Sequence, residues 1–213
     1  MKESDFAEQR KRLVREIVAG GSLKSENVKR AFLSVPREKF FPKEIAAHAY
    51  SDDAFPIGLR QTISQPSTIA VMLEMLQARE GQKVLEVGSG SGYVAALLSE
   101  IAGKNGAVFG IELLHELHER AAGTIAELGY ENVFLRCGDG RTGWKEEAPF
   151  DRILVSAATG EAPKQLAKQL AEGGRLVVPV GNILSQEMVL IEKEKGKAVE
   201  KERRCCFVFV PLR

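Results

Sequence analysis

Apolar positions change their spacing along this chain and divide it into a helical N-terminal part and an alternating remainder. Over residues 4–18, Phe6, Leu13, Val14, Ile17 and Val18 recur at near-helical intervals until Gly20-Gly21 interrupts them, which predicts an amphipathic first helix. A second helix is predicted over 25–34, yielding at Val35-Pro36. A third, of one or two turns, follows Phe41-Pro42, with proline at a first-turn position that tolerates it. Residues 52–66 are polar, marked by Pro and Gly, and show no clean period, so they read as a loop. Pro66 then opens a helix to about Gln77 with Ile69, Met72, Leu73 and Leu76 on one face.

From Lys83 strands and helices alternate: strand 83–87, helix 92–101, strand 107–111, helix 114–128, strand 133–137, strand 151–156, helix 163–171 and strand 174–180. That order predicts βαβ units with right-handed crossovers, hence an α/β fold with a mostly parallel sheet. Two further strand-like runs, 186–192 and 198–210, are joined by Lys193-Glu-Lys-Gly-Lys197 and read as an antiparallel hairpin on the sheet's edge. Its basic residues alternate with acids, as on a solvated edge.

Composition narrows the class. A chain of 213 residues with 44% hydrophobic content is long enough for one well-cored α/β unit with an extension. With 30 basic residues against 29 acidic ones the net charge is +1, which lacks the basic footprint of a dedicated nucleic-acid binder. No stretch is long and apolar enough for a membrane span, and Met1-Lys-Glu-Ser-Asp-Phe6 is charged where a signal peptide would be apolar, so the expected location is the cytoplasm. Cys137 and the adjacent Cys205 and Cys206 form no Cys-x-x-Cys spacing and read as small buried or strand residues. Arg10-Lys-Arg12 reads as a solvated helix face.

The candidate chemistry centres on Val84-Leu-Glu-Val-Gly-Ser-Gly-Ser-Gly92, an apolar run ending in an acid and three alternate glycines at 88, 90 and 92. Such a strand, turn and helix start lets a ligand lie against bare backbone, although similar turns also occur where a helix merely packs on a sheet. A dinucleotide fingerprint would place its last glycine at Tyr93, and Glu86 would repel a pyrophosphate. S-adenosylmethionine, with a sulfonium and an ammonium, suits Glu86 better. Glu112, 24 residues after Gly88, stands where an acid can accept from ribose hydroxyls; it also suits a helix N-terminus. Asp139, between Gly138 and Gly140, can reach an adenine amino group, and Asp-Gly is equally a plain turn. Ser156-Ala-Ala-Thr-Gly160 leaves room for a substrate and offers no carboxylate for a metal. His48, His115 and His118 lack zinc spacing, and no hydrolase triad stands out. Taken alone, Ser64 is a turn or capping residue.

With these residues assembled, the chain resembles the protein-L-isoaspartate (D-aspartate) O-methyltransferases over nearly its whole length. The motifs that carry the resemblance are Val35-Pro-Arg-Glu-Lys-Phe40, Pro56-Ile-Gly-Leu-Arg-Gln-Thr-Ile-Ser-Gln-Pro66, Val84 to Tyr93, Gly138-Asp-Gly140, Pro149 to Val155, Glu172 to Gly181 and Phe209-Val-Pro-Leu212. Arg60 departs from a common glycine, and Ser67 and Thr68 replace an aromatic or histidine followed by methionine.

The resemblance implies a Rossmann-like methyltransferase fold: a seven-stranded, mostly parallel sheet with an antiparallel edge, in a single domain over 1–213. Residues 1–80 would form the N-terminal helical extension and substrate loop, and 81–213 the cofactor-binding core. It implies S-adenosyl-L-methionine as methyl donor, S-adenosyl-L-homocysteine as product and no metal. The partners it implies are isoaspartyl-containing proteins and peptides, with D-aspartyl residues as a further substrate class, bound by a monomer. It puts Ser64 at the active site in place of the capping role, Thr62, Ile63 and Ser64 on the substrate, and Glu86, Gly88, Ser89, Gly90, Glu112, Asp139 and Gly140 on the cofactor. The methyl group would pass to the α-carboxylate of the damaged residue, whose ester then closes to a succinimide.

Overall fold

The computed structural model describes residues 3–212. The N-terminal part holds helices α1 (Glu3–Ala19) and α2 (Glu26–Ser34), two 3-10 turns (Arg37–Phe40 and Lys43–His48), a hairpin of β1 (Phe55–Gly58) and β2 (Gln61–Ile63), and α3 (Pro66–Leu76). The alternating part follows as β3 (Lys83–Val87), α4 (Tyr93–Ala102), β4 (Ala107–Glu112), α5 (His115–Glu127), β5 (Val133–Cys137), β6 (Phe150–Val155), α6 (Lys164–Lys168), β7 (Leu170–Gly181), β8 (Gln186–Glu194) and β9 (Lys197–Phe207).

Seven strands form one sheet in the order β5-β4-β3-β6-β7-β8-β9. The pairings from β5 to β7 are parallel, and β8 and β9 are antiparallel. The chain leaves β3 for β4 and β5 on one side and returns to β6 on the other, so strand order reverses beside β3. In open α/β sheets, the crevice at that reversal, beyond the carboxyl ends of the strands, receives ligands.

Alternation along β3 divides the core into two layers. Val84 joins an apolar cluster with Leu13, Phe32, Ile69 and Leu97, drawn from the N-terminal helices and α4. Leu85 and Val87 face the other layer, with Ile153, Val155 and Leu166. Glu86 shares the parity of Val84 and so is carried into the apolar layer under α4.

Several local expectations are corrected. The 52–66 segment holds the β1–β2 hairpin, with Phe55 opposite Ile63 and Pro56 opposite Thr62. The third helix, after Phe41-Pro42, is the 3-10 segment Lys43–His48, and the helix expected over 163–171 is confined to Lys164–Lys168, because Leu170 already pairs with Phe150. The last strand ends at Phe207 rather than near 210. Of the basic run in α1, Lys11 and Arg12 are exposed, whereas Arg10 turns inward to Tyr50 Oη at 2.8 Å and to Glu38. All three cysteines lie in strands and all are exposed. Ser64 caps nothing, since Gln65 holds the cap position of α3 without a side-chain bond. Met1, Lys2 and Arg213 lie outside the described residues.

Candidate active site

After β3 the chain turns through Gly88, Gly90 and Gly92, with φ of 81°, 53° and 86°. Left-handed backbone at three alternate positions favours residues without Cβ. The amides of Gly88 and Ser89 both donate to the carbonyl of Ile111, at 2.8 and 3.1 Å, which ties the turn to the end of β4. Glu112 adds a second tie: its carboxylate accepts from Gly90 N at 2.8 Å and from Leu114 N at 2.9 Å. Across the crevice Gly140 comes so close to β3 that a Cβ there would meet Val87 Cγ1 at 2.4 Å.

Thr62, Gly88, Gly90, Glu112 and Gly140 line one narrow cavity of about 70 Å³, together with Ser156 and the C-terminal residues Val210, Pro211 and Leu212. Five of the expected site residues thus converge from β2, the glycine turn, β4 and the loop after β5. A second cavity of about 490 Å³ adjoins it, sharing Pro211 and Leu212 and walled by Arg141, Thr159, Asn182 and Ile183. Ile183 and the neighbouring Leu184 are the most exposed large apolar side chains among the described residues.

Glu86 lies behind this cleft. It is 1% exposed; Ser156 Oγ donates to its Oε1 at 2.9 Å, while Oε2 has no partner. Burial pushes its carboxyl up to about 8; the Ser156 hydrogen bond opposes the shift and the charge of Glu112 adds to it. The Ser89 hydroxyl is also buried without a partner. An unpaired carboxylate oxygen beside bare backbone fits a ligand that brings a cationic group and hydrogen-bond donors.

Ser64 and Ile63 stand apart from the cavity lining. Ile63 is buried in the core. The Ser64 carbonyl accepts from Arg37 Nη2 at 2.9 Å, and Arg37 Nε donates to Ala49 O at 2.8 Å. Arg37 is wholly buried, with its guanidinium carbon 4.8 Å from the Tyr93 ring centre and 5.2 Å from that of Phe41. Burial lowers its pKa. The hairpin that precedes Ser64 lies on the glycine turn, where Ile57 Cδ1 would touch a Cβ on Gly90 at 3.7 Å.

Asp139 is not among the residues lining the 70 Å³ cavity. Its carboxylate accepts from Arg141 N at 2.9 Å and pairs with the Arg141 guanidinium at 2.7 Å, hydrogen bonds that lower its pKa. His48 stacks on Phe55, and His115 is exposed. Among the described residues no group of three or more His, Cys, Asp or Glu is placed to hold a metal ion.

Arg37 and the Val210–Leu212 wall received no role from the sequence. Both fall inside motifs visible there, but nothing local marks a wholly buried arginine or a C-terminal tail that folds back on the crevice.

The comparisons with known proteins agree with one another. The family model described as protein-L-isoaspartate(D-aspartate) O-methyltransferase matches residues 8–213. The protein-L-isoaspartate O-methyltransferase 2 of Anaeromyxobacter sp. (strain Fw109-5) is 46% identical over 205 residues, covering 96% of this chain and 83% of the relative. A solved protein-L-isoaspartate O-methyltransferase superposes with a TM-score of 0.84 at 33% identity, over 95% of this chain and 65% of that longer one. A solved Plasmodium falciparum structure, described as a β-aspartate methyltransferase in complex with S-adenosyl-L-homocysteine, gives a TM-score of 0.85 at 27% identity. It is matched over 96% of this chain and 98% of that one.

Proposed function

Because the chain belongs to the protein-L-isoaspartate (D-aspartate) O-methyltransferase family, we propose that the crevice between the glycine turn and Gly140 holds the methyl donor and that the Ser64 segment presents the substrate. The enzyme transfers a methyl group from S-adenosylmethionine to the α-carboxyl group of L-isoaspartyl residues in damaged proteins. When bound, S-adenosylmethionine supplies the activated methyl group. D-aspartyl residues are the second substrate class in this reading.

The observation that carries the assignment is the buried Glu86, whose Oε2 has no hydrogen-bond partner, a site suited to a cationic group. Gly88, Ser89, Gly90 and Gly140 let the ligand approach the backbone. Glu112 keeps a free lone pair on each oxygen after accepting Gly90 N and Leu114 N, enough for two ribose hydroxyls. Asp139 serves the adenine amino group once its side chain leaves Arg141.

The substrate carboxylate is already ionised at neutral pH, so the protein needs no general base. Its contribution is alignment, which in favourable cases supplies about 7–11 kcal/mol. Ser64 donates a hydrogen bond that fixes the carboxylate, with Thr62 and Ile63 beside it. The 490 Å³ cavity next to the crevice, with Arg141 on its wall and Ile183 at its rim, suits a polypeptide carrying the damaged residue.

The protein acts as a single domain over 1–213, a cytoplasmic monomer without nucleic acid or membrane. The continuous apolar cluster joining the helices of 1–80 to the sheet supports the single domain. The acids and bases on the open edge of β9 support the monomer. No described helix is long and apolar enough to cross a membrane.

The deciding experiment incubates the protein with methyl-labelled S-adenosylmethionine and matched isoaspartyl and aspartyl peptides. Base-labile label on the isoaspartyl peptide alone is expected; label on both or neither defeats the assignment.

A further inference from the structure

The edge strand β9 contains a break that no part of the methyl-transfer reading uses. Met188 pairs with Arg204 and Gln186 pairs with Phe207, so Cys205 and Cys206 together oppose the single residue Glu187. This is a β-bulge. In a regular strand, adjacent side chains point to opposite faces. Here Cys206 adopts φ +75°, a left-handed conformation unusual for a side-chain-bearing residue, and the pleat is lost. The two sulfurs then lie 3.0 Å apart, with the Cys206 thiol donating to Cys205 Sγ. Both residues are exposed, on the outermost strand of the sheet.

The bulge also stands at the root of the cleft's C-terminal wall. Just beyond it, Phe209 N donates to Gln186 Oε1 at 2.7 Å. Val210 O accepts from Ala158 N and Leu212 N donates to Ala158 O, each at 2.8 Å. Val210, Pro211 and Leu212 line the 70 Å³ cavity.

We propose that Cys205 and Cys206 form a thiol–disulfide exchange site for low-molecular-weight disulfides, and that its closure loosens the Val210–Leu212 wall. The Cys205 thiolate attacks one sulfur of the small disulfide, breaking its S–S bond and expelling one thiolate, which takes up a proton. Cys206 then attacks the Cys205 sulfur and expels the second small thiol. The protein loses two electrons and two protons, which end on the two small thiols. Adjacent Cα atoms stand about 3.8 Å apart, short of the roughly 4.4–6.8 Å usual for bridged cysteines. Closure therefore strains the backbone, and the bond is readily reduced again. The strain falls three residues before Phe209 is tied to Gln186, where the wall begins.

The test treats the full-length protein with glutathione disulfide and reads it by peptide mass spectrometry and by calorimetry with S-adenosylhomocysteine. The second half of the proposal rests on the cofactor assignment, which binding by the reduced protein tests separately. Expected results are loss of two hydrogens from the peptide bearing Cys205 and Cys206, a simple adduct on the exposed Cys137, and a trapped adduct on Cys205 in Cys206→Ser. S-adenosylhomocysteine affinity should fall several-fold on oxidation, recover with dithiothreitol, and stay unchanged by the treatment in the Cys205→Ser/Cys206→Ser double variant. Separate adducts on both cysteines without closure overturn the exchange site; closure with unchanged affinity overturns its link to the wall.

Discussion

Arg37 Nη2 donates to the main-chain carbonyl of Ser64 at 2.9 Å from a position with no solvent exposure. The arginine bridges two chain segments, since its Nε holds Ala49 O, and it packs on Tyr93, the first residue of the helix that follows the glycine turn. One buried cation therefore ties the Ser64 segment to the helix that follows the glycine turn. Lysine would supply a point charge without the planar fork that reaches both carbonyls.

Arg37→Lys should consequently cost stability and alignment together. Hydrogen bonds to charged groups contribute about 1.5–3 kcal/mol each, so loss of one predicts a destabilisation of about 2 kcal/mol in urea unfolding. At a temperature where the variant remains folded, kcat should fall about tenfold or more while S-adenosylhomocysteine affinity changes little. A parallel loss of cofactor affinity would mean that Arg37 supports the fold in general rather than the Ser64 segment.

Ser64→Ala should separate chemistry from binding. A hydroxyl that positions a carboxylate contributes about 1.5–3 kcal/mol, or roughly 10- to 100-fold in kcat/KM for an isoaspartyl peptide. Because the protein contacts Ser64 through its main-chain carbonyl, which alanine keeps, stability and cofactor affinity should be preserved. Unchanged turnover would remove Ser64 from the mechanism.

Glu112→Ala removes the acceptor for Gly90 N and Leu114 N, and each buried unpaired donor costs about 1–3 kcal/mol. The glycine turn loses one of its two ties to β4 as well as the proposed ribose partner. Calorimetry should show S-adenosylhomocysteine binding weakened by about 10- to 100-fold, with a lower melting temperature. Affinity equal to that of the unaltered protein would exclude the ribose role.

The sheet and the glycine turn were legible because their signals are local: short apolar runs at regular spacing, glycines at alternate positions, and an acid at a fixed distance from them. The β1–β2 hairpin was hidden for the opposite reason. Its tip is Leu59-Arg60, both left-handed at φ 53° and 59°, without the Asn-Gly or Asp-Gly that usually announces such a turn. Arg37 was visible as a motif residue, but its partners lie 12 and 27 positions away and only the fold brings them together. The thiol pair required knowledge of strand register, which sequence spacing does not carry. Ser64 was legible only through the whole motif around it, since a serine before a helix is chemically unremarkable.

The hairpin tip gives a stability prediction. Left-handed backbone costs a side-chain-bearing residue about 1–2 kcal/mol, and glycine gives back about 0.4–1 kcal/mol through a looser unfolded state. Arg60→Gly should therefore stabilise the protein by about 0.5–1 kcal/mol in denaturant titration. A loss of stability would show that the Arg60 side chain makes a contribution larger than its strain.

Glu86 makes stability depend on pH in an unusual direction. Its carboxyl lies at about 8 in the fold against an ordinary 4.5, so between these values the folded chain holds a proton that the unfolded chain has released. The unfolded state binds fewer protons there, and stability must fall as pH rises. The Glu86 contribution is therefore fully present below about 4.5, declines through the interval and is gone above about 8. Glu86→Gln, which cannot ionise, should flatten this part of the curve when urea unfolding is followed from pH 5 to 8.5. A cationic ligand against Oε2 should act in the same direction by stabilising the ionised carboxylate. S-adenosylmethionine binding near pH 7 should then release a proton from the original protein and not from the glutamine variant, detectable by calorimetry in buffers of different ionisation enthalpy. Equal proton release from both proteins would place the ligand's positive charge elsewhere.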